Sequence, residues 1–124
     1  MIQGNTIIEL VAAGATPAST YDYSFDASDH VILPGLINCH HHFYQTLTRA
    51  LPGALNKELF PWLQALYPVW SNLNDEAIFA STQLALSELL LSGCTTAADH
   101  HYVFSSIMPH AIDAQVAAAK TIGN

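Results

Sequence analysis

Charge is what this sequence has least of. Of 124 residues only three are basic and ten acidic, a tenth of the chain where an ordinary soluble domain has about a quarter. So few cations speak against nucleic acid as a partner, because phosphates are held by clustered Lys and Arg. A net charge of −7 speaks equally against an anionic membrane surface. Cysteine is scarce as well. Cys39 and Cys94 stand far apart with no C-x-x-C pairing, which argues against a zinc knuckle or a redox motif and leaves two small buried thiols as the expectation. There is no basic stretch ahead of an apolar one at the start and no apolar run long enough to cross a bilayer. The cytoplasm is therefore the expected location, in keeping with seven histidines and little cysteine.

What is present is apolar. Half the chain is hydrophobic, and with so little charge much of its surface is expected to be covered by more protein. Residues 5–13 read as a short strand closed by Gly14, and Tyr21, Tyr23 and Phe25 alternate with polar residues as a half-buried strand would. Val31-Ile32-Leu33 is β-prone and is broken by Pro34-Gly35, a change of direction. Leu36 to Asn38 continues as a strand into Cys39-His40-His41-His42. Helix-compatible spacing follows from Phe43 to about Ala50, ended by Pro52-Gly53. A short helix is expected over 62–67, bracketed by Pro61 and Pro68.

The clearest helix runs from Asp75 to Ser92, with Asn74 as N-cap, Asp75 and Glu76 at the positive end of its dipole and Gly93 at C′. Its leucines nearly encircle it, which predicts packing on more than one side. Cys94 to Asp99 reads as a second strand, and a last helix runs from Pro109 to about Ile122. Strand, helices, strand and helix with no hairpin signal is the βαβ order of a parallel sheet, whose chemistry gathers at the C-terminal ends of its strands. Two such strands cannot close a sheet, so the chain reads as a piece of something larger.

The histidine run carries the strongest chemical signal. On a strand His40 and His42 face the same way and His41 the other, and two imidazoles so placed can reach one divalent ion at about 2.0–2.1 Å. The bland alternative is a pair of polar residues in a solvated loop. Two ligands are too few for a catalytic site, which uses three or more. Of His100 and His101, adjacent on the second strand's end, one faces a loop and the other is a candidate for the pocket. Asp99 either orients a histidine or caps the turn. Arg49 is a surface ion-pair residue or a pocket residue, and Trp62, Tyr67 and Trp70 read as packing rather than a stacking platform.

The run from Phe25 through Pro34-Gly35-Leu36-Ile37-Asn38 to His42 resembles the opening of the metal-dependent amidohydrolase superfamily. With Phe43-Tyr44-Gln45, Leu59-Phe60-Pro61-Trp62-Leu63 and Gly93 to Tyr102, it is similar to that superfamily's deaminase and chlorohydrolase branch, and to its 8-oxoguanine deaminases in particular. The resemblance implies an α/β fold: residues 1–33 as part of a small β-sandwich, and residues 34–124 as the first two strand-helix units of a truncated (β/α)8 barrel. It implies His40 and His42 as ligands of one Zn2+ or Fe2+ and Gln45 as a substrate-binding residue; of the pair at the second strand's end, His101 is taken as the candidate for the substrate pocket. The implied chemistry is hydrolytic deamination of an oxidised purine or pyrimidine base such as 8-oxoguanine or isocytosine, by water that the metal makes nucleophilic at neutral pH. The partner is then a small nucleobase, the whole protein a homo-oligomer, and the remaining ligands and the proton-shuttling Glu lie outside this sequence. S-adenosylhomocysteine, guanine or triazine hydrolases of the same superfamily are the alternative, as is a non-catalytic α/β module that binds a partner through its apolar faces.

Overall fold

The structure, a computed structural model, describes residues 1–123 and divides into two compact units, Met1–Leu33 and Pro34–Asn124. In the first, strands β1 (Ile2–Gln3) and β2 (Thr6–Ile7) pair antiparallel around a Gly4-Asn5 turn, where Gly4 has φ +60°. The expected strand over 5–13 is thus two residues long. Beyond it the loop is tied by the Glu9 carboxylate, which accepts the Ala18 and Ser19 N–H groups at 2.8 and 3.2 Å. Tyr21, Tyr23, Phe25 and Val31 to Leu33 form no strand and are exposed. Alternation permits a strand to bury one face, but without a neighbouring strand its N–H and C=O groups gain more from water.

The second unit is a mixed α/β arrangement. Strand β3 (Leu36–His41) pairs parallel with β4 (Cys94–Asp99), Leu36 opposite Cys94 and His41 opposite Asp99, with register shifts after Leu36 and after Asn38. Between them lie a 3-10 turn at Phe43–Thr48, a shorter one at Pro52–Ala54, and helices α1 (Leu59–Trp70) and α2 (Asp75–Leu91); α3 (Ala111–Ile122) follows β4. The parallel pair and its helical crossover are as the sequence order implied. Helix α1 outruns its expected end, with Pro68 inside it. In the last turn the missing Pro68 N–H costs one bond, and the Pro68 carbonyl recovers partners from Ser71 Oγ and Asn72 Nδ2.

Asn74 Oδ1 accepts the Ala77 N–H at 2.9 Å and opens α2, and Gly93 closes it at φ +84°. The face α2 buries is Ile78, Ser81, Thr82 and Ala85, spaced i, i+3, i+4, i+7. The Ser81 and Thr82 hydroxyls donate to the Ile78 carbonyl, so small residues bring α2 close to the Phe43–Thr48 turn and α3 without stranding a polar group. The leucines sit outside this face, and Leu91 is 90% exposed. Gly35 is required by close approach: a Cβ there would overlap the side chain of Thr95 on the neighbouring strand.

The core gathers around Trp70, not under the sheet. Tyr44, Trp62, Tyr67 and Tyr102 meet Trp70 edge-on with ring centroids 5.2–6.3 Å apart, and Leu66, Ile78, Met108 and Ala111 fill the rest. Cys94 is buried as expected, but Cys39 is exposed, because β3 has no sheet or helix over that face among the described residues.

Candidate active site

Strand β3 ends at His41 and the chain turns at once into the 3-10 segment Phe43–Thr48. His42 supplies no side-chain cap to that turn. Asp99, at the end of β4, supplies it instead: Oδ1 accepts the buried Phe43 N–H at 2.7 Å, and Oδ2 accepts Gln115 Nε2 from α3 at 2.5 Å. One carboxylate therefore ties together the two strand ends and α3. Of the two expectations for Asp99, capping is the one the geometry shows.

His40 and His42 converge. Their Nε2 atoms stand 3.2 Å apart. His42 Nδ1 lies 2.7 Å from the His100 carbonyl, and since a carbonyl only accepts, Nδ1 carries the proton and Nε2 of the neutral ring is left with its lone pair. Two nitrogens each about 2.0–2.1 Å from one ion at a tetrahedral angle would be about 3.3 Å apart, so the pair fits a shared divalent ion. No group of three or more His, Cys, Asp or Glu side chains capable of holding an ion occurs among the described residues. The donor set here is two imidazoles.

The pair opens on a cleft of about 430 Å3 whose walls include Gln45, Thr46, Arg49 and Trp62. Gln45 lines the cleft beside the pair, with its Nε2 donating to the Tyr102 phenol oxygen at 2.9 Å and to that of Tyr44 at 3.4 Å. Arg49 is both things expected of it: it lines the cleft, and it forms a two-pronged ion pair with Glu88 of α2 at 2.7 and 2.9 Å. The Arg49 guanidinium holds the Glu88 carboxyl below its ordinary value, and Glu88 raises Arg49 in turn. Burial pushes the Tyr44 phenol well above its ordinary value, with the Tyr102 hydroxyl adding to the rise.

His101 is not among the residues around the cleft. Its ring packs edge-on between Tyr44 and Phe104, with Nδ1 3.4 Å from Gln115 Nε2 and Nε2 buried without a partner. His100 is the one that meets the metal-type pair: its ring stacks on His40 at 4.5 Å and 18°, and its Nε2 lies 3.2 Å from the Cys39 carbonyl. Gln115 and Tyr102 carry parts of this arrangement that the sequence reading did not single out. The signals were a polar side chain on the inner face of a helix and a tyrosine three residues beyond a strand end.

Residues 31–122 match the Amidohydrolase family. The chain belongs to the amidohydrolase family. It is 54% identical over 123 residues to an 8-oxoguanine deaminase of Pseudomonas aeruginosa, covering 99% of this chain and 27% of that protein. It is 40% identical over 109 residues to an isoxanthopterin deaminase of an unknown prokaryotic organism (87% of this chain, 22% of that one). It is also 40% identical over 93 residues to a hydroxydechloroatrazine ethylaminohydrolase of Pseudomonas sp. strain ADP (73% and 19%). This amidohydrolase chain therefore spans between about a fifth and just over a quarter of the length of these relatives.

Proposed function

We propose that this chain forms the opening of a metal-dependent (β/α)8 barrel in a protein of its relatives' length (the whole protein, below), preceded in residues 1–33 by part of a small β-sandwich. The proposed activity is hydrolytic deamination of an oxidised purine or pyrimidine base, with 8-oxoguanine and isocytosine as substrates. The observation that carries the substrate is the 54% identity with an 8-oxoguanine deaminase along nearly the whole chain, against 40% or less with relatives named for other substrates. The observation that carries the metal is the convergence of His40 and His42 at 3.2 Å, with the His42 tautomer set from behind.

In this reading His40 and His42 hold one Zn2+ or Fe2+, which when bound supplies Lewis-acid activation of water. The chain's own residues do the rest of their share by placement. The His100 carbonyl keeps the His42 proton on Nδ1 and so its lone pair on Nε2. Gln45 meets the edge of the base across the cleft, and Trp62 walls it. Asp99 fixes the turn that carries Gln45 relative to the strand that carries the histidines. The cytoplasm and a homo-oligomeric whole protein belong to the same reading, and no described helix is long and apolar enough to cross a membrane.

The test is ammonia release from 8-oxoguanine and isocytosine by the whole protein, with metal content measured alongside. Turnover of either, lost with the metal in His40→Ala and His42→Ala, is the expected result. Full metal content in both variants refutes the ligand assignment. An inactive wild type of full metal content refutes the substrate and favours the triazine or 5-methylthioadenosine/S-adenosylhomocysteine chemistry named for other relatives.

A further inference from the structure

The geometry points to Tyr102 as a positioning residue that holds the Gln45 amide in place at the cleft, an inference that rests on the deaminase reading above. Gln45 lies three residues beyond His42 on the 3-10 turn and lines the cleft. Its Nε2 donates to Tyr102 at 2.9 Å and to Tyr44 at 3.4 Å. The amide end of Gln45 is thereby held between the two phenols while the side chain lines the cleft.

The two phenols differ in what they can do. Tyr44 is fully buried and wedged edge-on between Trp70 and His101, each 5.2 Å away, so it is part of the core. Tyr102 is 40% exposed and sits on the loop after β4. Its ring stands edge-to-face with His42 at 5.1 Å and 85°, and with Tyr44 at 5.6 Å. One side chain thus touches both a histidine of the converging pair and the amide proposed to meet the base. A glutamine with no fixed partner has to be ordered by each ligand it meets. Held from behind by Tyr102, the Gln45 amide is ordered before the ligand arrives, and a planar heterocycle with a polar ring edge meets it without that cost.

The bland alternative is that Tyr102 only packs on Tyr44 and His42. Tyr102→Phe keeps the ring and deletes the hydroxyl. In the whole protein its expected effect is a KM for 8-oxoguanine raised about tenfold, with a much smaller fall in kcat and undiminished metal content. Hydrolysis of the amino-bearing carbon replaces NH2 by an oxo group and gives urate, so binding of urate by calorimetry should weaken by the same factor without any turnover. The deciding comparison is coupling. If the hydroxyl acts through Gln45, adding Tyr102→Phe to Gln45→Leu should change KM less than twofold. An unchanged KM and urate affinity in Tyr102→Phe overturns the inference, as does a full tenfold penalty on the Gln45→Leu background. A wild type that neither turns over 8-oxoguanine nor binds urate is a different failure: it removes the deaminase reading, and this inference falls with it.

Discussion

Asp99→Ala is the substitution that most directly tests how this site is held. It removes two acceptors at once: Oδ1 from the Phe43 N–H and Oδ2 from Gln115 Nε2. Phe43 is 6% and Gln115 9% exposed, so water reaches neither donor easily. Each stranded donor costs about 1–3 kcal/mol. For Gln115 a 3.4 Å contact with His101 Nδ1 recovers a little of that. The sum, about 2–5 kcal/mol, is a large share of the 5–15 kcal/mol that holds a typical domain. At the turn itself only the Phe43 share acts, and at about 1.4 kcal/mol per tenfold it corresponds to amide exchange about 10- to 100-fold faster. Peptide-resolved hydrogen exchange over residues 43–48 of the whole protein reads this locally, whether or not global unfolding is two-state. Asp99→Asn keeps one oxygen for Phe43, and Gln115 can rotate to accept from the new amide, so most of the loss should be restored. Exchange within threefold of wild type in Asp99→Ala refutes the capping role, and Asp99→Asn behaving like Asp99→Ala refutes the two-acceptor account.

Three further outcomes are expected. Glu88 is held below its ordinary value of 4.5 by Arg49, so the pair's contribution is complete above that pH and vanishes as pH falls through the lowered value. The melting difference between wild type and Glu88→Gln should therefore shrink as pH is lowered below about 4 and in about 1 M salt; a difference that grows on acidification would reverse the sign argued here. Gly35→Ala should cost about 1–3 kcal/mol in a denaturant titration, because the new Cβ meets the Thr95 Cβ at 2.8 Å and a rotamer change cannot move that atom. The 124-residue chain alone should be poorly soluble or molten and bind zinc weakly, given Leu36, Ile37, Phe60 and Leu91 in water and only two imidazoles at the site. A sharp melt with tight stoichiometric zinc contradicts this.

The features that could be read from the sequence are those set by near neighbours in the chain. Asn74 and Gly93 mark the ends of α2 because a cap bonds within one turn of itself. His40 and His42 share a face because a strand repeats every two residues, and the register shift after Asn38 does not undo that. What could not be read depends on partners far along the chain. Tyr21, Tyr23 and Phe25 alternate correctly, but a strand needs a neighbour and they have none. Asp99 could be read as a cap, but the turn it caps lies 56 residues earlier. His100 and His101 were an undecidable pair, because the choice rests on Tyr44 and Phe104 enclosing one ring while the other stacks on His40. Gln115 reads as one more polar residue of an amphipathic helix until β4 is set beside it.

The bond that orients His42 ends on the main chain of residue 100. Its integrity therefore belongs to the alignment of β3 against β4 and not to the identity of any side chain. Residue 100 is free to drift through many amino acids over evolutionary time with the His42 tautomer intact. A single-residue insertion or deletion in either strand would carry that carbonyl off to the wrong face even where it removes no histidine. Mutational surveys limited to substitutions would overlook this constraint, and indel scanning across 36–41 and 94–99 would reveal it.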